Sequence, residues 1–155
     1  MTEARFEGTL CTEWLVHAGP DRRMKLLQDF SFSDPRGRCW RAPAGSIIDG
    51  ASIPRILWAV AGSPYTGSCR RASVLHDVAC FEKTRPSREV HRMFYEAMVC
   101  DGVDRNLALE FYAAVRLFGP DWSVREQLSP FDDSDAPPQR SIEQVEAALD
   151  AVLGE

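Results

Sequence analysis

"ASVLHDVAC", residues 72–80, sets a histidine, an aspartate and a cysteine inside an otherwise apolar run. At about 100° of turn per residue, Val74, Leu75, Val78 and Ala79 fill one arc of a helix. His76, Asp77 and Cys80 fall together on the arc beside it. The stretch therefore reads as a helix, from about Ser68 to Glu82, that is apolar enough to be buried yet carries three chemically competent side chains.

Downstream the helical period continues. "KTRPS" ends the first helix, and Ser87 is expected to cap a second that runs to about Cys100, with His91 inward among Val90, Phe94, Tyr95 and Met98. Asp104 is expected to cap a third that ends before "FGPDW", its stripe formed by Val103, Leu107, Phe111, Ala114, Val115 and Phe118. Upstream, Pro54 suits a first helical turn, and a short helix through Ile56, Leu57, Trp58 and Val60 is closed by Gly62. Before that the period changes to two. Met24, Leu26, Gln28, Phe30 and Phe32 alternate, giving extended chain with one largely apolar face. "WLVHAGPDRRMKL" reads as a hairpin, "SDPRGR" as a turn, and "RCWRAPAGSIIDG" as extended.

The fold expected is α+β: a small antiparallel β-sheet in the N-terminal part, a packed cluster of three to four helices, and a C-terminal helix. Residues 1–128 form the domain, and the Pro/Asp-rich stretch 129–140 is a linker. Residues 141–155 make an amphipathic helix opened by a capping box, Ser141 with Gln144. Its face of Ile142, Val145, Leu149 and Val152 either docks on the domain or serves as a handle for a protein partner.

The bulk numbers narrow the function. The chain has 155 residues, 45% hydrophobic and 26% charged, an ordinary globular composition. A net charge of -5 argues against a surface built for phosphate contacts, so nucleic acid is disfavoured as a partner. No run reaches the roughly 18 apolar residues of a membrane span, and "MTEARFEGTL" lacks the pattern of a secretory signal. Five cysteines without a CxxC pair point to reduced thiols and a cytoplasmic setting. There is no nucleotide or flavin signature.

Asp49, in "IIDGASIP", sits at the exit from the β half, where a cleft between layers is expected. An aspartate before glycine is commonly a turn residue, but here it joins His76, Asp77 and His91. Three chemistries fit. The first is a divalent metal, best matched by zinc, on some of Asp49, His76, Asp77 and His91, supplying a water nucleophile for hydrolysis. The second is a thiol nucleophile, Cys80, activated by His76 or His91 and oriented by Asp49 or Asp77. The third is a buried polar network that only fixes how the helices meet the sheet.

The blocks "RAPAGSIIDGASIPRILW", "RRASVLHDVAC", "SREVHRMFYEAM" and "GVDRNLALEFYAAVRLFGPDW" resemble the domain of unknown function 1353 family of bacteria, phages and prophages. The resemblance covers roughly residues 30–122. It implies a small α+β domain and a phage or prophage association, and nominates Asp49, Ser52, Arg55, His76 and Asp77 as the family's core. Ser52 and Arg55 would contact substrate, the arginine through its planar fork. The family pattern places an aspartate where this chain has His91 and commonly a tyrosine where it has Cys80. Both exchanges swap one polar group for another, which suits a site more than a packing position. A metal-dependent hydrolase is the leading expectation; a non-catalytic phage accessory or assembly protein and a cysteine–histidine hydrolase are the rivals.

Overall fold

Apolar residues at every second position demand strands whose alternate side chains reach one core, and the described residues of the N-terminal half supply six. The computed structural model describes residues 2–15, 23–49, 53 and 67–123. The helix expected at 54–62, the linker 129–140, the C-terminal helix 141–155, Ser52 and Arg55 lie outside the described residues. The strands are β1 (Arg5–Glu7), β2 (Thr12–Leu15), β3 (Arg23–Leu26), β4 (Phe30–Ser33), β5 (Cys39–Ala42) and β6 (Ile47–Ile48); the helices are α1 (Arg70–Glu82), α2 (Ser87–Cys100) and α3 (Arg105–Phe118). This is the α+β arrangement expected.

The strands form two three-stranded antiparallel sheets rather than one, in the orders β1-β4-β5 and β2-β3-β6. The hairpin expected around residues 14–26 is present as the β2–β3 pair, Thr12 opposite Leu26 and Leu15 opposite Arg23. The alternation from Met24 to Phe32 belongs to two strands in different sheets. The chain breaks step at residues 27–29, where the Gln28 side chain donates to the Thr9 carbonyl at 2.6 Å and Asp29 accepts the Ala44 N–H at 2.8 Å. Gly8, at φ +87°, approaches the Asp29 carbonyl so closely that a Cβ would stand 2.8 Å from it. Met24, Leu26, Phe30, Phe32, Trp40, Ala42 and Ile48 all remain buried, so the period survives although the ladder does not.

The buried residues of both sheets and all three helices join one core. α1 packs on β5 and β6 and on α2, and α2 packs on α3. With neighbours on both sides, α1 buries Ala72, Ser73, Val74, Leu75, His76, Val78 and Cys80, the pattern of a central helix rather than a surface one. It ends at Lys83, in the left-handed region at φ 50°. α3 is capped as expected, Asp104 accepting from the N–H groups of Asn106 and Leu107. α2 is not capped by Ser87: its N-cap is Pro86, and the Ser87 hydroxyl donates to Asp121 instead. Phe118 also departs from the expected stripe and is exposed. Among the described residues no helix is long and apolar enough to cross a membrane, and all five cysteines are free.

Asp34 locks the β4–β5 hairpin. Its side chain is completely buried and accepts from the backbone N–H groups of Arg36 and Arg38, from Arg38 Nε at 2.7 Å and from the Trp40 indole at 3.1 Å. Burial pushes this carboxyl up, but those four bonds outweigh it and hold the group below its ordinary range. Arg38 then reaches Glu89 at 2.6 Å and Arg36 reaches Glu96 at 3.0 Å, fastening the hairpin tip to α2. Removing one partner of such a buried, charged network is costly. Asp34→Ala is expected to lower the unfolding free energy by about 3 kcal/mol in urea titrations; a change below about 1 kcal/mol would show that the hairpin is held by packing alone.

Candidate functional site

α1 and α2 cross with a histidine each at the contact. His76 is wholly buried and packs on Phe94, ring centroids 4.7 Å apart; His91 is also buried. His76 Nε2 lies 2.9 Å from His91 Nδ1, and His91 Nε2 lies 3.0 Å from the Pro120 carbonyl. The expectation that an inward histidine on the second helix meets the polar arc of the first is thus realised as a direct imidazole–imidazole hydrogen bond.

The Pro120 carbonyl is delivered by a short strap after α3. Gly119 bonds back to the Val115 carbonyl, and a Cβ at this glycine would overlap that group. The chain then crosses the start of α2: the Ser87 N–H donates to the Trp122 carbonyl at 3.2 Å, and the Trp122 indole donates to the Arg85 carbonyl at 2.8 Å. "FGPDW" reads in sequence only as a helix stop. That it supplies a site acceptor has no side-chain signature.

The bonding fixes the tautomers. A carbonyl oxygen only accepts, so His91 Nε2 carries the hydrogen. In neutral His91, Nδ1 is then an acceptor, and His76 Nε2 must donate to it. The remaining acceptor of the pair is His76 Nδ1. Neutrality is expected at pH 7, because burial pushes both histidines below their ordinary value, His76 strongly, with the neighbouring His91 adding to the effect. On His91 the Pro120 bond and Asp121 oppose burial, and Arg116 reinforces it.

Cys80 Sγ sits 3.8 Å from His76 Nδ1 and 3.7 Å from Nε2. A thiol on the lone-pair line of one nitrogen would lie much farther from the other, so the sulfur rests against the ring rather than pointing at a nitrogen. A neutral imidazole contacted in this way does not form the thiolate–imidazolium pair of an activated cysteine.

Cys80 also lines a cleft of about 960 Å³, together with Asp49 and Asp77. The Asp49 backbone N–H donates to Asp77 Oδ2 at 3.0 Å, so the chain leaving β6 meets the "HD" doublet of α1. The cleft brings together the Asp49 and Asp77 carboxylates and Cys80 Sγ, while the wholly buried His76 ring touches Cys80 and is not among the residues that line the cleft. Among the described residues, no group of three or more His, Cys, Asp or Glu side chains is arranged to hold an ion. His91, with both nitrogens bonded, stands behind His76 as its support.

The two imidazoles give the fold a pH dependence of defined sign. Their folded values lie below the unfolded value of 6.5, so the unfolded chain takes up protons first as acid is added. Stability is complete above pH 6.5 and falls as the pH drops through the window beneath it. In metal-free buffer the melting temperature is expected to fall between pH 6.5 and 5, and to fall less in His91→Gln. A flat profile in the native chain contradicts the buried neutral pair.

Comparison with known proteins followed the same blocks. A family model described as a protein of unknown function (DUF1353) matches residues 24–115. An uncharacterized protein of Sinorhizobium fredii, y4jT, is 41% identical over 113 residues, covering 73% of this chain and 34% of its own length. A second from the same organism, y4iH, is 38% identical over 109 residues, covering 70% of this chain and 46% of its own length. The matched part of this chain thus spans about a third and just under a half of these relatives. No solved structure matches.

Proposed function

The chain belongs to the DUF1353 family, and from its site geometry we propose that it is a metal-dependent hydrolase of phage or prophage type. The observation that carries this reading is the relay Pro120–His91–His76, which orients the His76 ring and makes its Nδ1 the acceptor nitrogen, with the ring packed on Cys80, a residue that lines the cleft. Histidines that bind metals characteristically donate their second N–H to a fixed partner, which sets the tautomer and raises the basicity of the ligating nitrogen. His91 plays that part here. His76 Nδ1 and the carboxylates of Asp49 and Asp77 would hold the ion, for which zinc is the best chemical match to imidazole and carboxylate together. When bound, such an ion polarises a carbonyl and makes a water nucleophile available near neutral pH.

The reading has a structural consequence. Asp77 accepts the Asp49 N–H, and the donors are not grouped as a trio, so ion binding requires the two carboxylates to swing toward His76. The same two observations favour a second reading: a non-catalytic accessory protein, its polar cluster structural and residues 141–155 recruiting a protein partner.

Elemental analysis separates them. After dialysis against metal-free buffer and exposure to one equivalent of zinc, the protein is expected to retain about one ion per chain. His76→Asn is expected to lose the ion and, by the loss of a ligand, at least 10² of any esterase rate. No retained ion from zinc, manganese or magnesium would leave the second reading in place.

A further inference from the structure

Three large apolar side chains remain exposed on the walls of one cleft. Phe81 is 87% exposed, Phe118 53% and Ile47 49%, and all three line the cleft that also holds Asp49 and Asp77. Phe81 stands four residues after Asp77 on α1, so the two share a helix face. Phe118 closes α3 immediately before the Gly119–Pro120 strap that bonds His91. Single exposed apolar residues are ordinary on a protein surface; three gathered around a pair of carboxylates are not scattered. The cleft, at about 960 Å³, also falls within the roughly 300–1,000 Å³ typical of small-molecule sites, which combine apolar walls with a few convergent polar groups.

We propose that this cleft binds a neutral ester or amide whose acyl or aryl group seats on Phe81 and Phe118. The inference rests on the hydrolase reading above and names its substrate class. The lining selects the neutral ligand. Among the described residues the charged groups lining the cleft are Asp49, Asp77, Glu82 and Arg23. An ion on the two aspartates would cancel their charge and leave Glu82 against Arg23. The cleft then holds no net charge for a fatty-acid carboxylate or a phosphodiester, and its apolar walls favour an uncharged group. A flat or extended apolar group covers the exposed rings and sets its carbonyl toward Asp77. Phe81 and Phe118 are then specificity-determining residues, acting on binding and not on bond breaking.

The test uses the full chain and the double variant Phe81→Ser/Phe118→Ser. Both positions are exposed, so melting is expected to stay within about 2 °C of the native chain, as for surface changes generally. The neutral fluorophore N-phenyl-1-naphthylamine is expected to bind the native chain at least tenfold more tightly than the variant. 4-Nitrophenyl hexanoate is expected to have a KM at least fivefold below that of 4-nitrophenyl acetate in the native chain, with that preference lost in the variant and kcat unchanged. Phe-dependent probe binding without turnover of either ester would retain the apolar cleft and defeat the hydrolase reading. Equal probe binding by the two proteins overturns the proposal. So does a concentration-dependent dimer, abolished by the double variant and unaccompanied by probe binding, which would assign the face to a second copy of the chain.

Discussion

The hydrogen bond between His76 Nε2 and His91 Nδ1 is the constraint around which the helical half is arranged. An imidazole deep in a core is tolerated only when its nitrogens are satisfied, because an unpaired buried polar group costs more than the bond itself returns. His76 sits on the helix that packs on both α2 and the strands, and its side chain is wholly buried. His91 satisfies it, and Pro120 satisfies His91 in turn. Each step fixes the next: the strap beyond α3 sets the tautomer of His91, and His91 sets that of His76. One peptide carbonyl therefore decides which nitrogen of His76 is the acceptor.

The β half serves the same site by holding α1 and α2 in place. Asp34 closes the β4–β5 turn, and the two arginines of that turn grip Glu89 and Glu96 on α2. β5 and β6 lie against α1, and the chain leaves β6 directly at Asp49, whose N–H meets Asp77. Asp49 is thus positioned by the sheets, while Asp77 and the two imidazoles are positioned by the helices. Sites placed on packed elements in this way keep their geometry better than sites carried on loops.

Much of this was legible in the sequence. The helical period of "ASVLHDVAC" and the breakers on either side gave α1 nearly to the residue, and the inward phase of His91 predicted that it would meet the polar arc of α1. Asp104 was recognisable as a cap because its helix begins there with no competing partner. Ser87 looked equally good, but its hydroxyl is drawn to Asp121, 34 residues away, and nothing local signals that. The break between β3 and β4 was hidden because Gln28 keeps the alternation in phase while the chain crosses between sheets. The Pro120 carbonyl was invisible for a deeper reason: any residue offers a carbonyl, and only tertiary packing says which one is used. Phe118 continued the apolar stripe in sequence, yet the helix ends just as the residue reaches the cleft wall, where it stays exposed.

Nuclear magnetic resonance of the histidine rings tests the arrangement most directly. Long-range 1H–15N correlation at pH 7.5 should show both His76 and His91 protonated on Nε2, with a scalar coupling between His76 Nε2 and His91 Nδ1 across the shared hydrogen. Protonation of His76 on Nδ1, or rings that exchange freely with solvent and show no coupling, would contradict the relay and with it the proposal that His76 Nδ1 is a metal ligand.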